Sequence, residues 1–223
     1  VCPEAIQAEQ HHAAHQLRRD DLLRQTLRPN APVLHGDDLV GRVIARPFLG
    51  SNGNYTRTEN RRDYAIEPTK DTILDALTAE GLETVGVGKI EDIFCKRGIT
   101  TVDHTKNNTT GTAAAQRFID SGEGSFVFVN LVDFDMLYGH RNDVEGYGKA
   151  LETFDTALPA LRAGLKDGDI LMITADHGCD PGYKGTDHTR EYVPLIIYSK
   201  SLKNINLKTV DGFGVVCNTA LSL

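Results

Sequence analysis

Asp176 and His177 follow directly on an apolar run, Ile170-Leu171-Met172-Ile173-Thr174-Ala175. A second histidine, His188, comes eleven residues after His177, inside Gly185-Thr186-Asp187-His188-Thr189-Arg190. Upstream the arrangement repeats. Phe126-Val127-Phe128-Val129-Asn130-Leu131-Val132 leads into Asp133 and Asp135, and His140 stands five residues beyond Asp135. Core packing asks for no carboxylates or imidazoles at the exit of a buried strand, whereas a hard-to-borderline divalent metal does. The donors Asp135, His140, Asp176, His177 and His188 exceed what one four-coordinate zinc takes. They suit a two-metal centre with mixed carboxylate and imidazole ligands, for which manganese is a natural ion. The spacing to His140 selects Asp135 over Asp133, which is left in a supporting place.

Ligands of this kind need strands to deliver them. Apolar runs at 125–135, 169–175 and 193–198 predict strands, as does 83–90, which closes on Gly88-Lys89. Between them, 71–80 predicts a helix capped by Thr69 or Asp71, and 109–121 predicts another. Residues 143–166 carry Leu151, Phe154, Leu158, Leu161 and Leu165 at helical spacing. Alternation of this kind argues for an α/β fold with a largely parallel sheet, where ligands bind outside the carboxyl ends of the strands. Ahead of this body lies different material. Residues 4–28 predict a helix with His11 and His15 one turn apart on a solvated face, 40–48 a strand with Arg42 and Arg46, and 55–64 an arginine-rich loop or edge strand. The boundary falls near residue 66: residues 1–66 form a small partial cap domain with an N-terminal helix, and 67–223 form the metal-binding α/β core.

Composition narrows the function. The 223 residues are 40% hydrophobic and 25% charged, as in an ordinary globular protein. A net charge of −7 with no basic stripe argues against a nucleic-acid partner, and no run is long enough for a membrane helix. Cys2, Cys95, Cys179 and Cys217 form no regular framework, so reduced thiols and a cytoplasmic setting are expected. The N-x-Thr patterns at Asn54, Asn107 and Asn108 would matter only in a secreted chain, and with no signal peptide recognised they are expected to carry nothing. The chain opens on Val1, and the expectation is that it is a piece of something longer.

Several segments, in one order, resemble the phosphopentomutases, a family of the alkaline phosphatase superfamily. They are Gly41-Arg42-Val43-Ile44-Ala45-Arg46-Pro47-Phe48, Asn54-Tyr55-Thr56-Arg57-Thr58, Asn60-Arg61-Arg62-Asp63-Tyr64 and Val87-Gly88-Lys89-Ile90. Val132-Asp133-Phe134-Asp135, Tyr138-Gly139-His140-Arg141, Thr174-Ala175-Asp176-His177-Gly178-Cys179-Asp180-Pro181 and Gly185-Thr186-Asp187-His188-Thr189-Arg190-Glu191 complete the set. The resemblance implies an alkaline-phosphatase-like core with a mainly parallel sheet, plus the remnant of a small α+β cap. It implies interconversion of the 1-phosphates and 5-phosphates of ribose and deoxyribose in nucleoside salvage, with two Mn²⁺ per complete site and a sugar bisphosphate activator. By position, Asp135, His140 and His188 would hold one ion, and Asp176 with His177 the other. Arg42, Arg57 and Lys89 would grip the sugar phosphate between cap and core. Positioning and charge neutralisation are what phosphoryl transfer requires, so this equipment suits the reaction.

Two parts of the family pattern are missing. An aspartate ligand on an opening strand and a nucleophilic threonine at a helix start would precede Val1, and the catalytic residue is therefore unassigned. Among the threonines here, including Thr174, Thr186 and Thr189, none stands in that helix-opening context. The stretch from Thr209 to Leu223 follows the family's closing segment only loosely, and so does the stretch before residue 40. Two other readings stay open: an inactive metal-binding fragment, and another phosphatase-type member of the superfamily.

Overall fold

The computed structural model describes residues 42–45, 47–51, 53–58 and 62–222. The helix expected over 4–28, with His11 and His15, lies outside the described residues. These fall into two compact units, one ending at Thr69 and one running from Lys70.

The first unit shows four short strands: β1 (Arg42–Ala45), β2 (Phe48–Ser51), β3 (Asn54–Arg57) and β4 (Arg62–Ala65). β1 pairs antiparallel with β4, and β2 with β3. The single strand expected over 40–48 is thus two strands. Pro47 has no N–H for a ladder and separates them. Its carbonyl instead closes the base of the hairpin, accepting from the Thr58 N–H at 2.9 Å and hydroxyl at 3.0 Å. Residues 55–64 supply edge strands at both ends, in β3 and β4.

The second unit opens with α1 (Ile73–Ala79), and its cap is Thr72 rather than Thr69 or Asp71. Thr72 and Asp75 satisfy each other's backbone N–H groups, a reciprocal capping box. Then come β5 (Thr84–Val87), the single turn α2 (Ile90–Ile93), β6 (Thr101–Asp103), α3 (Asn108–Ser121) and β7 (Phe126–Val129). After them follow α4 (Val144–Gly164), β8 (Leu171–Thr174), β9 (Leu195–Tyr198) and α5 (Gly214–Leu221). The order β6-β5-β7 is parallel throughout, whereas β8 and β9 pair antiparallel, Leu171 opposite Tyr198.

Alternation along the central strands explains the layers. Val85 and Val87 of β5, with Val127 and Val129 of β7, pack on Ala114 and Phe118 of α3. Phe126 and Phe128 point the other way, onto a cluster of Ile73, Leu74, Ile90 and Cys217. Both faces of the parallel sheet are therefore covered, and its carboxyl ends are left to carry chemistry. At the end of β5, Gly88 takes φ +80°, and a Cβ there would fall 2.7 Å from the Asn130 carbonyl oxygen beyond β7. Only glycine lets the two strand ends run so close.

No helix among the described residues is long and apolar enough to cross a membrane.

Candidate metal centre

β7 ends at Val129, and the chain does not continue extended to residue 135 as its apolar run suggests. It turns into a π-helical segment over Phe134–Tyr138, followed by a 3-10 turn over Gly139–Arg141. Single π turns of this kind recur at functional sites because they re-aim a side chain. Here the two turns place Asp135 and His140 on one side. Asp133, just before them, is buried and accepts the Asn108 backbone N–H at 2.7 Å, while its own N–H donates to Asn108 Oδ1 at 2.9 Å. That ring ties the exit of β7 to the first turn of α3. The ring of Phe134 meets Tyr147 on α4 at 5.6 Å.

The second part of the site follows β8. Asp176 and His177 come just after Thr174, and the chain returns so that Thr189 pairs with Gly178 across an isolated antiparallel bridge. Two residues that periodicity could not single out lock this loop to the first one. Asn142, with φ +54°, donates its amide to the carbonyls of Pro181 (3.2 Å) and Tyr183 (2.9 Å). Gly139 lies so close to Cys179 that a Cβ would be 2.1 Å from its Sγ.

His188 is thereby brought to Asp135 and His140. Its Nε2 lies 3.0 Å from Asp135 Oδ1 and 3.2 Å from His140 Nε2, and His140 Nε2 lies 3.1 Å from the same carboxylate oxygen. Among the described residues these three form the one group of three or more acidic, histidine or cysteine side chains placed to share a metal ion. His140 Nδ1 sits 2.5 Å from the Thr186 carbonyl, which can only accept, so Nδ1 carries a proton and in the neutral ring Nε2 offers a lone pair. The same logic applies at His177, whose Nδ1 donates to the Gly178 carbonyl at 3.0 Å. His177 Nε2 then faces Asp176 Oδ1 at 3.6 Å. Its ring stacks on His188 at 3.6 Å between centroids, while His140 and His188 sit 4.8 Å apart. Burial pushes the His188 pKa down, the His177 ring adds to this, and Asp135 pulls the other way. A neutral imidazole is the form that ligates.

The donor set fits a cation. A carboxylate oxygen and two imidazole nitrogens face one another, and one proton on His188 could satisfy only one of its two neighbours. A divalent ion satisfies all three.

Other site residues expected from the sequence are placed differently. Lys89 sits where β5 passes into α2, and its amine reaches Asp92 at 3.2 Å. Arg42 and Arg57 lie on β1 and β3, and their side chains fall outside what is described. Two threonines stand at helix starts: Thr72 caps α1 and Thr110 lies in the first turn of α3. Both hydroxyls are engaged in capping boxes, which leaves neither poised as a nucleophile.

Comparison with known proteins gives the family. Residues 15–223 match the family described as the Metalloenzyme superfamily. The chain belongs to that superfamily. A member of the metalloenzyme superfamily with this cluster binds a metal. Within it, the chain is homologous to phosphopentomutases. It is 57% identical over 171 residues to the phosphopentomutase of Caldanaerobacter subterraneus subsp. tengcongensis, covering 77% of this chain and 44% of that one. The phosphopentomutase of Clostridium acetobutylicum is 50% identical over 192 residues, 86% of this chain and 49% of that one. That of Carboxydothermus hydrogenoformans is 52% identical over 188 residues, with shares of 84% and 48%. The chain spans about half the length of the curated relatives it matches. Among solved structures, the PH0037 protein from Pyrococcus horikoshii shares the fold, with a TM-score of 0.51 at 16% identity over 67% of this chain and 46% of that one.

Proposed function

We propose that the protein carrying this chain is a phosphopentomutase, which interconverts the 1-phosphates and 5-phosphates of ribose and deoxyribose in cytoplasmic nucleoside salvage. The observation that carries the reading is the convergence of Asp135, His140 and His188, with His177 stacked behind them, in a chain 57% identical to such an enzyme. Asp135, His140 and His188 hold one Mn²⁺ and Asp176 with His177 contribute to a second. Metal held there would supply positive charge to offset that of the phosphoryl group in transfer.

The chain's own side chains prepare that site. His140 and His177 give their Nδ1 protons to carbonyls, which fixes each ring's tautomer and rotation. Lys89, at the carboxyl end of β5, supplies charge for the sugar phosphate, and the resemblance gives Arg42 and Arg57 a share in holding it. Arginine forks suit phosphate oxygens, and lysine supplies a point charge. Neither the aspartate ligand nor the threonine nucleophile of the resemblance is assigned within these residues. A sugar bisphosphate activator would prime such a nucleophile.

The test is a coupled assay of ribose 1-phosphate conversion to ribose 5-phosphate by the whole protein, with Mn²⁺ and a sugar bisphosphate. Turnover is expected, and His177→Ala should abolish it. Hydrolysis of phosphate esters without isomerisation would contradict the assignment.

A further inference from the structure

The two histidine-bearing segments after β8 are fastened to each other at one residue. Thr189 donates its backbone N–H to the Gly178 carbonyl at 3.1 Å. That same oxygen accepts the Nδ1 proton of His177 at 3.0 Å. The Thr189 hydroxyl accepts the Asp180 N–H at 2.7 Å and donates to the Glu191 carboxylate. Each polar group of Thr189 on this side thus joins the 176–180 segment to the 188–191 segment. Gly178 leaves no slack between them, since a Cβ there would lie 2.6 Å from the Thr189 carbonyl oxygen. The result is the stack of His177 on His188 at 3.6 Å. One ring belongs to the three-residue cluster and the other to the Asp176–His177 pair.

We propose that Thr189 is a positioning residue for the metal centre: through its hydroxyl it sets the His177–His188 stack and so the spacing of the two ligand groups. The proposal rests on the metal-binding reading given above. Thr189 touches neither metal nor substrate in this role. Its β-branch and backbone N–H survive in Thr189→Val, which isolates the hydroxyl. Removing it leaves the Asp180 N–H and the Glu191 carboxylate without their shared partner, and the loop relaxes toward solvent. Thr189→Ser restores the hydroxyl on a smaller side chain.

The experiment is a Mn²⁺ titration of wild type, Thr189→Val and Thr189→Ser by calorimetry, paired with the imidazole NMR signals of each metal-free protein. Thr189→Val should bind Mn²⁺ ~10-fold more weakly, the low end of what losing a ligand's outer partner costs, because the hydroxyl acts through the loop and not on a ligand itself. The His177 and His188 signals should also lose their mutual ring-current shifts. Thr189→Ser should keep both properties close to wild type. Equal affinity in Thr189→Val and wild type overturns the proposal and leaves the metal centre standing. Equal losses in Val and Ser also overturn it, because packing rather than the hydroxyl would then be at work. If wild type itself binds no Mn²⁺, the metal centre falls and the proposal with it. Should Thr189→Val melt too low to titrate, Thr189→Ala is compared with Thr189→Ser, which differs from it by the hydroxyl alone, and is read against the same outcomes.

Discussion

Burial, then the neighbouring His177 ring, pushes the pKa of His188 down, against the pull of the Asp135 carboxylate and with some help from His140. The ring therefore stays neutral where an ordinary histidine begins to charge, and a neutral nitrogen can face both Asp135 and His140 at close to 3 Å. Its place in the loop between β8 and β9 separates this role from folding. His188→Ala should lose more Mn²⁺ affinity than the ~10- to 100-fold that an outer partner costs, while melting near the wild-type temperature. Equal affinity by calorimetry would remove His188 from the site. At this scale the sequence told a good deal, because a carboxylate or imidazole after an apolar run has no packing explanation. Asn142 and Thr189 carried no such signal. Their side chains act on backbone groups some 40 or 10 residues away, and only the folded chain shows which carbonyl or N–H arrives there.

The elements hold these residues through caps and close approaches. Burial alone would raise the Asp75 pKa, but the Thr72 N–H at 2.7 Å and hydroxyl at 2.8 Å, with Arg97 at 3.1 Å, reverse that and hold it below the usual range. A folded pKa below the unfolded value of about 3.9 means the pair stabilises fully above that value and is lost as pH falls through the folded one. Asp75→Asn should therefore cost about 1 kcal/mol at neutral pH, a melting shift of a few degrees. The variant and wild type should converge in acid; a difference that grew with acidity would contradict the cap account. Gly139 offers a second test. Its φ is an ordinary helical −59°, so alanine is objectionable there mainly for its contact with Cys179 Sγ, the Phe134 carbonyl oxygen at 3.1 Å being the lesser one. Gly139→Ala should destabilise by about 1–3 kcal/mol through overpacking and weaken metal binding. Adding Cys179→Ala should recover most of both losses, and a double variant as poor as the single would place the strain elsewhere.

Over the whole molecule, length and periodicity located β5, β7, β8, α3 and α4 because each buries an apolar face. They missed β6, whose Thr101–Asp103 is short and half-buried, and α5, where Gly214–Leu221 lies beyond the last recognisable pattern. They also could not give strand direction: β9 is as apolar as a parallel strand would be, yet runs antiparallel to β8. The expected strand to residue 135 failed for a related reason, since Leu131 and Val132 are apolar in a turn as they would be in a strand. Asp135, His140 and His188 still come together despite these misplacements, because they follow the places where strands end, which apolar runs mark well. What unites the account is that two separate strand exits feed one metal centre. The most direct measurement is anomalous X-ray scattering at the manganese edge from crystals grown with Mn²⁺. The account predicts a peak within bonding distance of Asp135 Oδ1, His140 Nε2 and His188 Nε2, and a second beside Asp176 and His177. Manganese bound elsewhere, with those three atoms left facing only one another, would contradict it.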